Sequence, residues 1–235
     1  MDRAFGCGPK GRRFDSYQVH KISNFNHKYS HTKKQEWENN QITNHFMNEK
    51  LFTLINQFAG TNSFLDKFNI TLAEYTPYFF ILILFYFWFK STKNQPKNKN
   101  IFKNIALFAG YSAILGIIIN RIISSLYFHP RPFMENLGTL LIEHTAESSF
   151  PSDHTTFVLA IAFIFYFSRP TNKIGQYLII LGIISGLSRV YTGLHFPADI
   201  LGSLLIASIS AIIIFQSKNK LQKINTFIIK LFKKN

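Results

Sequence analysis

The chain has 235 residues, the size of one ordinary domain, with 47% hydrophobic residues, 26 phenylalanines and a formal net charge of +14. Its single cysteine, Cys7, excludes an intramolecular disulfide and a cysteine-based zinc site. The lysines stand beside apolar runs rather than along one stripe with interleaved aromatics, so membrane flanks are expected and a nucleic-acid partner is not.

Residues 1–46 are rich in Lys, Arg, Asn, His and Gln and lack apolar periodicity, the composition of a solvated extension. His20, His27, His31 and His45 are irregularly spaced there and read as solvated rather than metal-binding. No terminal segment has the order of a removable signal peptide. Patterning begins at Met47-Asn48-Glu49-Lys50, and Met47 is the expected start of the functional chain. Leu51, Leu54, Ile55 and Phe58, then Phe64, Leu65 and Phe68, recur at helical spacing around Gly60-Thr61-Asn62-Ser63. Residues 47–70 are therefore expected to form one or two short amphipathic helices at a membrane interface.

Five apolar segments follow, at about 72–89, 105–123, 155–167, 174–187 and 200–215. The third is short against the roughly 20 residues that cross a bilayer. The expected fold is all-α: a multi-span membrane bundle over 71–216 with about five transmembrane helices, an N-terminal interfacial helix, and a basic cytoplasmic tail over 217–235. The connection carrying Lys90, Lys93, Lys97, Lys99 and Lys103, the connection Arg169–Lys173 and the tail are all basic, which places them in the cytoplasm. Alternation then puts the connections 124–154 and 190–199 on the outer face.

Those outer connections hold the chemistry. Ser188-Arg189-x5-His195-x3-Asp199 places His195 and Asp199 four residues apart near a helix start opened by Pro197. The carboxylate can accept a proton from one imidazole nitrogen and leave the other as a nucleophile. The plainer reading is a salt bridge between Arg189 and Asp199 with His195 capping the helix. In Pro151-Ser152-Asp153-His154, Ser152 is placed to cap the next helix and, with the free amides of its first turn, to bind an anion. His154 can then serve as a general acid. Arg131, between Pro130 and Pro132, is held in a stiff segment suited to presenting a guanidinium. Glu143, His144 and Glu147 share the same face; contact with a substrate or a divalent ion is one reading, and a solvated loop is the favoured one.

These three segments resemble the signatures of the type 2 phosphatidic acid phosphatase superfamily: Lys-x6-Arg-Pro, Pro-Ser-Gly-His and Ser-Arg-x5-His-x3-Asp. The third matches throughout, Asp153 replaces the glycine of the second, and Ser124 replaces the lysine of the first. Arg121, about one helical turn earlier, is the candidate substitute cation. Tyr127-Phe128-His129-Pro130-Arg131-Pro132-Phe133 and Pro-Ser-Asp-His look most like the bacterial undecaprenyl-diphosphatases of the bacitracin-resistance type. The resemblance covers roughly Met47 to Phe215 and implies a metal-independent, cofactor-free membrane phosphatase acting on a polyprenyl diphosphate lipid. It implies His195 as the nucleophile, Asp199 as its orienting partner and His154 as acid and then base. Arg131, Arg189, Ser152, Ser188 and Asp153, with Arg121, would hold the phosphoryl oxygens. Phosphatases of phosphatidylglycerophosphate or phosphatidic acid fit the same residues, as does an anion transporter. A transporter more often carries internal repeats and mid-membrane charges, and neither is evident here.

Overall fold

A computed structural model of the chain describes residues 46–90 and 100–232. Residues 1–45 and 91–99, which hold the expected extension and the lysines Lys93, Lys97 and Lys99 of the topology argument, lie outside the described residues. The described residues contain helices and no strand, and the chain from Asn48 onward forms one compact unit.

Helix α1 spans 46–56 and α2 spans Ser63–Phe89. The turn between them uses Gly60 at φ +79°, a left-handed conformation that glycine adopts without strain. Asn62 then caps α2, its side-chain oxygen accepting from the Phe64 and Leu65 amides at 2.9 and 3.2 Å. Phe64, Leu65 and Phe68 therefore do not form a short helix of their own. They are the first turns of the 27-residue α2, because nothing after the Asn62 cap stops the helix.

The remaining helices are α3 (Ile101–Leu126), α4 (Asp153–Phe167), α5 (Asn172–Tyr191), α6 (Pro197–Gln216) and α7 (Lys218–Leu231). Among the described residues, four helical stretches are long and apolar enough to cross a membrane: α2, α3, α5 with its leading turn, and α6. The short segment α4 has a different place. Val158 through Ala162 are fully buried, and α4 packs against α2, α3, α5 and α6. A helix apolar on all sides belongs inside a bundle, and α4 is its axis. Phe87 meets Phe165 of α4 edge to face with ring centroids 4.9 Å apart. The outward faces of the other helices carry exposed Leu82, Phe85, Ile118, Ile122, Leu201 and Leu205, as expected of a bundle solvated by lipid.

The basic tail is more ordered than its composition suggests. Most of it is α7, whose buried Asn225 donates to Asn104 and accepts from the Tyr111 hydroxyl, both at 3.0 Å. These bonds pin α7 to α3 at the end of the bundle where α4 finishes. At the other end α3 and α5 finish, α4 and α6 begin, and the connections 127–152 and 192–196 meet.

Close approach in the bundle depends on small residues. A Cβ added at Gly175 would collide with the backbone of Phe165 and Tyr166, whereas one at Gly110 would meet nothing within 4 Å. Gly175→Ala is expected to destabilise by about 1–3 kcal/mol, the usual range for overpacking. Gly110→Ala should be neutral or slightly stabilising. Thermal melting of the detergent-solubilised protein compares the two, and equal midpoints would contradict the close packing of α5 on the end of α4.

Candidate active site

The meeting point of the helix ends encloses a pocket of about 480 Å³ whose lining includes Arg121, Arg131, His144, Asp153, His154, Arg189 and His195. His195 reaches it from the turn between α5 and α6. That turn requires Gly193 at φ +83°, where a Cβ would press on the Thr139 carbonyl. Pro197 then opens α6. Asp199, in the first turn of α6, folds back to accept from the Phe196 amide at 2.8 Å.

His195 is buried, and its two nitrogens differ. Nδ1 lies 2.9 Å from the Ser149 carbonyl and 3.5 Å from Asp199 Oδ2. A carbonyl only accepts, so Nδ1 carries the proton and Nε2 keeps its lone pair. Nε2 faces the pocket side, with Arg131 Nη1 at 3.4 Å. The nearest acceptor for Nδ1 is thus a backbone carbonyl, with Asp199 behind it. Ser149 joins both partners, since its hydroxyl also donates to Asp199 Oδ2. Burial, only partly opposed by Asp199 and reinforced by Arg189 and Arg131, lowers the His195 pKa from its usual 6.5 to about 4. The imidazole is therefore neutral at neutral pH.

The two buried pocket arginines are held by neutral acceptors. Arg131 donates to the carbonyls of Leu194 (3.1 Å) and Glu147 (3.3 Å). Arg189, 2% exposed, donates from Nη1 to the Ala73 carbonyl at 3.0 Å, and its Nε has no hydrogen-bond partner among the described residues. That carbonyl is available because of Pro77. A helix carbonyl normally accepts from the amide four residues on, and proline has none. Both guanidiniums line the pocket with no carboxylate in salt-bridge reach among the described residues, the arrangement an anion would complete.

Arg121 lines the mouth of the pocket, 3.1 Å from Asp153 Oδ2. Asn120, on the same helix, donates to Asp153 Oδ1 at 2.9 Å. Ser124, at the position of the family lysine, spends its hydroxyl on the α3 carbonyls of Asn120 (2.9 Å) and Arg121 (3.3 Å). The amides opening α4, those of Asp153 and His154 among them, have no acceptor within the helix. His154 lies on the pocket wall.

Two expected phosphate ligands are not brought there. Ser152 precedes α4 but is fully buried outside the pocket lining. Its amide is taken by Ser203 Oγ at 2.8 Å, and its hydroxyl accepts from Thr155 at 3.1 Å instead of capping the helix. Ser188 donates to the Ile184 carbonyl of its own helix at 3.0 Å. Both sit where a serine can serve packing and backbone better than solvent-facing chemistry. Conversely, His144 and Glu147, read as a solvated loop, line the pocket. Burial and then Arg131 lower the pKa of His144. Ser149, Asn120 and His129 also belong to the site's framework. Sequence position gave no sign of Ser149, which acts through both its carbonyl and its hydroxyl, whereas Asn120 and His129 lie close to the pocket residues Arg121 and Arg131.

Residues 105–223 match the PAP2 superfamily. The chain is 36% identical over 186 residues to undecaprenyl-diphosphatase BcrC of Bacillus subtilis, covering 79% of this chain and 92% of that protein. It is 32% identical to the bacitracin transport permease protein BcrC of Bacillus licheniformis, over 76% of this chain and 84% of that one. Its fold superposes on the crystal structure of Aquifex aeolicus LpxE with a TM-score of 0.57 at 26% identity, covering 71% of this chain and 93% of the other.

The depressed basicity of His195 is directly measurable. NMR titration of histidine-labelled protein in micelles, with His195→Asn to assign the signal, should show His195 becoming charged only near pH 4. An ordinary midpoint near 6.5 would mean that the ring is neither desolvated nor held beside two cations.

Proposed function

The chain belongs to the PAP2 superfamily and is a phosphatase, and within that family we propose that it hydrolyses undecaprenyl diphosphate to undecaprenyl phosphate and orthophosphate through a phosphohistidine. The observation that carries the reading is the His195 imidazole, proton on Nδ1 and lone pair on Nε2, beside two buried arginines with unspent donors. In this scheme Nε2 attacks the terminal phosphorus while the bond to the bridging oxygen breaks. His154 protonates that oxygen, and undecaprenyl phosphate leaves. His154 then takes a proton from water, the oxygen attacks phosphohistidine, and orthophosphate departs with His195 restored. As Nε2 bonds to phosphorus the ring gains positive charge, which the Asp199 carboxylate behind Nδ1 stabilises.

Arg131, Arg189 and the first-turn amides of α4 are the proposed clamp on the terminal phosphoryl group, whose equatorial charge grows in the transition state. Arg121, at the mouth and 67% exposed, is placed for the second phosphate. The lipid chain would lie along the apolar outer faces of the helices while the head group enters at their ends. The basic flanks at the opposite end, Lys90, Lys103, Arg169 and Lys173, support a cytoplasmic position for that end and an extracytoplasmic active site. A transport role, suggested by the name of one relative, has less support, because the cationic and acid–base residues gather around a pocket at one end of the bundle.

Site variants test the mechanism. His195→Ala should abolish both turnover and acid-labile, base-stable labelling from a radioactive substrate. His154→Ala should slow poor leaving groups far more than an activated aryl phosphate, which needs no proton. Arg189→Ala should cost about 10²–10³ in kcat, the usual effect of losing one transition-state donor. Label recovered on another residue would reassign the nucleophile.

The substrate is tested separately, in chelator, with undecaprenyl diphosphate, undecaprenyl phosphate, phosphatidylglycerophosphate and phosphatidic acid at equal mole fraction in mixed micelles. The diphosphate should give the highest kcat/KM. Preference for either phosphatidyl lipid would keep the phosphatase and replace its substrate, and reversible loss of all activity in chelator would overturn the metal-free scheme.

A further inference from the structure

Asp199 has two oxygens in different surroundings. Oδ2 accepts from the Phe196 amide and the Ser149 hydroxyl. Oδ1 is equally buried and faces a second histidine, with His129 Nδ1 at 3.2 Å. The pair is within ion-pair reach but off hydrogen-bond alignment, and neither atom has another hydrogen-bond partner among the described residues. A carboxylate facing this nitrogen can only accept, so Nδ1 of His129 is the proton-bearing atom.

His129 is also tied into the nucleophile's surroundings through its backbone. Its carbonyl accepts from the Ser149 amide at 2.7 Å, and its amide donates to the Ser148 hydroxyl at 3.2 Å. The Ser149 carbonyl is the acceptor for His195 Nδ1. Two residues further along, Arg131 reaches both Leu194 O and His195 Nε2. The segment 129–131 therefore grips the turn 194–199 from two sides: His129 meets Asp199 and Phe196, and Arg131 meets Leu194 and His195.

We propose that His129 is a positioning residue for phosphoryl transfer: its Nδ1–H engages Asp199 Oδ1 and so fixes the carboxylate behind His195 and the register of Arg131 in front of it. The inference rests on the reading of His195 as nucleophile. Its chemistry lies in the donor, and the plainer role for this ring is packing, since it stacks on Tyr127 (centroids 6.1 Å) and lies against Phe196 (5.4 Å). The two roles separate by substitution. His129→Asn keeps a donor near the Nδ1 position and loses the ring, whereas His129→Phe keeps a ring and loses the donor.

An activated aryl phosphate serves as substrate, so that the identity of the lipid does not enter. His129→Phe is expected to lower kcat roughly ten- to hundredfold, the range seen when an outer partner of a site residue is removed. KM should change less than about threefold and the thermal midpoint should hold, because the lost interaction acts mainly in the transition state. His129→Asn should stay within about threefold of the parent, and its phosphohistidine should form at the parent's rate by single-turnover trapping. Near-parental kcat for His129→Phe overturns the proposal. So does a His129→Asn variant as slow as His129→Phe at an unchanged midpoint, since only the ring would then matter. Should His129→Phe fail to fold, His129→Leu takes its place, with the same outcomes read against His129→Asn. Failure to trap phosphohistidine on His195 in the parent protein would strike the underlying mechanism instead, and is scored on its own.

Discussion

Arg189 sets the terms for the site. Removing a guanidinium from water costs several kcal/mol unless its charge is matched or its donors are satisfied. In this protein it lies at the end of an apolar helix, buried and without a bonded carboxylate, and one of its five N–H donors meets the carbonyl that Pro77 leaves free in α2. That bond fixes where the guanidinium points but does not neutralise it. Arg131 is held in a similar way by two backbone carbonyls. The bundle thus keeps two positive charges near one point without cancelling them. In the proposed reaction a phosphate group restores the balance, so affinity for that anion would follow from how the fold solvates its own cations.

The same uncancelled charge governs His195, the proposed nucleophile. An imidazole attacks only when neutral, and an exposed one beside Asp199 would bind a proton more readily than an isolated histidine. Burial and the two arginines outweigh the carboxylate here and hold His195 unprotonated. In the proposed mechanism Asp199 then acts when the ring becomes charged on bonding to phosphorus. The carboxylate is itself kept in place by the Phe196 amide at the start of α6 and by Ser149, so its geometry is settled by secondary structure before any substrate arrives.

Much of this was legible in the sequence for a physical reason. Apolar runs long enough to cross a bilayer must be helices, because lipid offers the backbone no other partner. Their ends are the natural place for polar groups that need both water and an apolar wall. Hence the five segments, the all-α bundle and the convergence of Arg131, His154, Arg189 and His195 could be read from spacing and placement. What stayed hidden was carried by groups without side-chain identity or by packing. The Ser149 and Ala73 carbonyls are backbone acceptors that any residue could provide. The role of Pro77 depends on which helix faces its missing amide. Ser152 and Ser188 sit inside recognisable motifs, but which way a hydroxyl turns is decided by neighbours such as Ser203 and Thr155. The position of α4 at the centre was hinted at by its shortness, since a helix surrounded by others needs no lipid-matched length.

Asp153 poses the sharpest question of charge, because it places a carboxylate where the family pattern has glycine and where an anion must enter. The residues of α3 resolve it. Asn120 binds one carboxylate oxygen and Arg121 the other, at 2.9 and 3.1 Å, so the side chain is turned toward α3 and its charge is matched at the pocket mouth. The α4 amides stay available, since the carboxylate is drawn away from the helix start. The pair is unequal in a useful way. Asn120 is buried and also bonded to Thr156, whereas Arg121 is largely exposed and its ion pair is worth little in water. In the proposed binding mode an incoming phosphate competes with Asp153 for a cation that is easily released, while Asn120 keeps the carboxylate turned aside. On this argument the glycine-to-aspartate change and the loss of the lysine at Ser124 are linked: the aspartate holds in readiness the arginine proposed to stand in for the lysine.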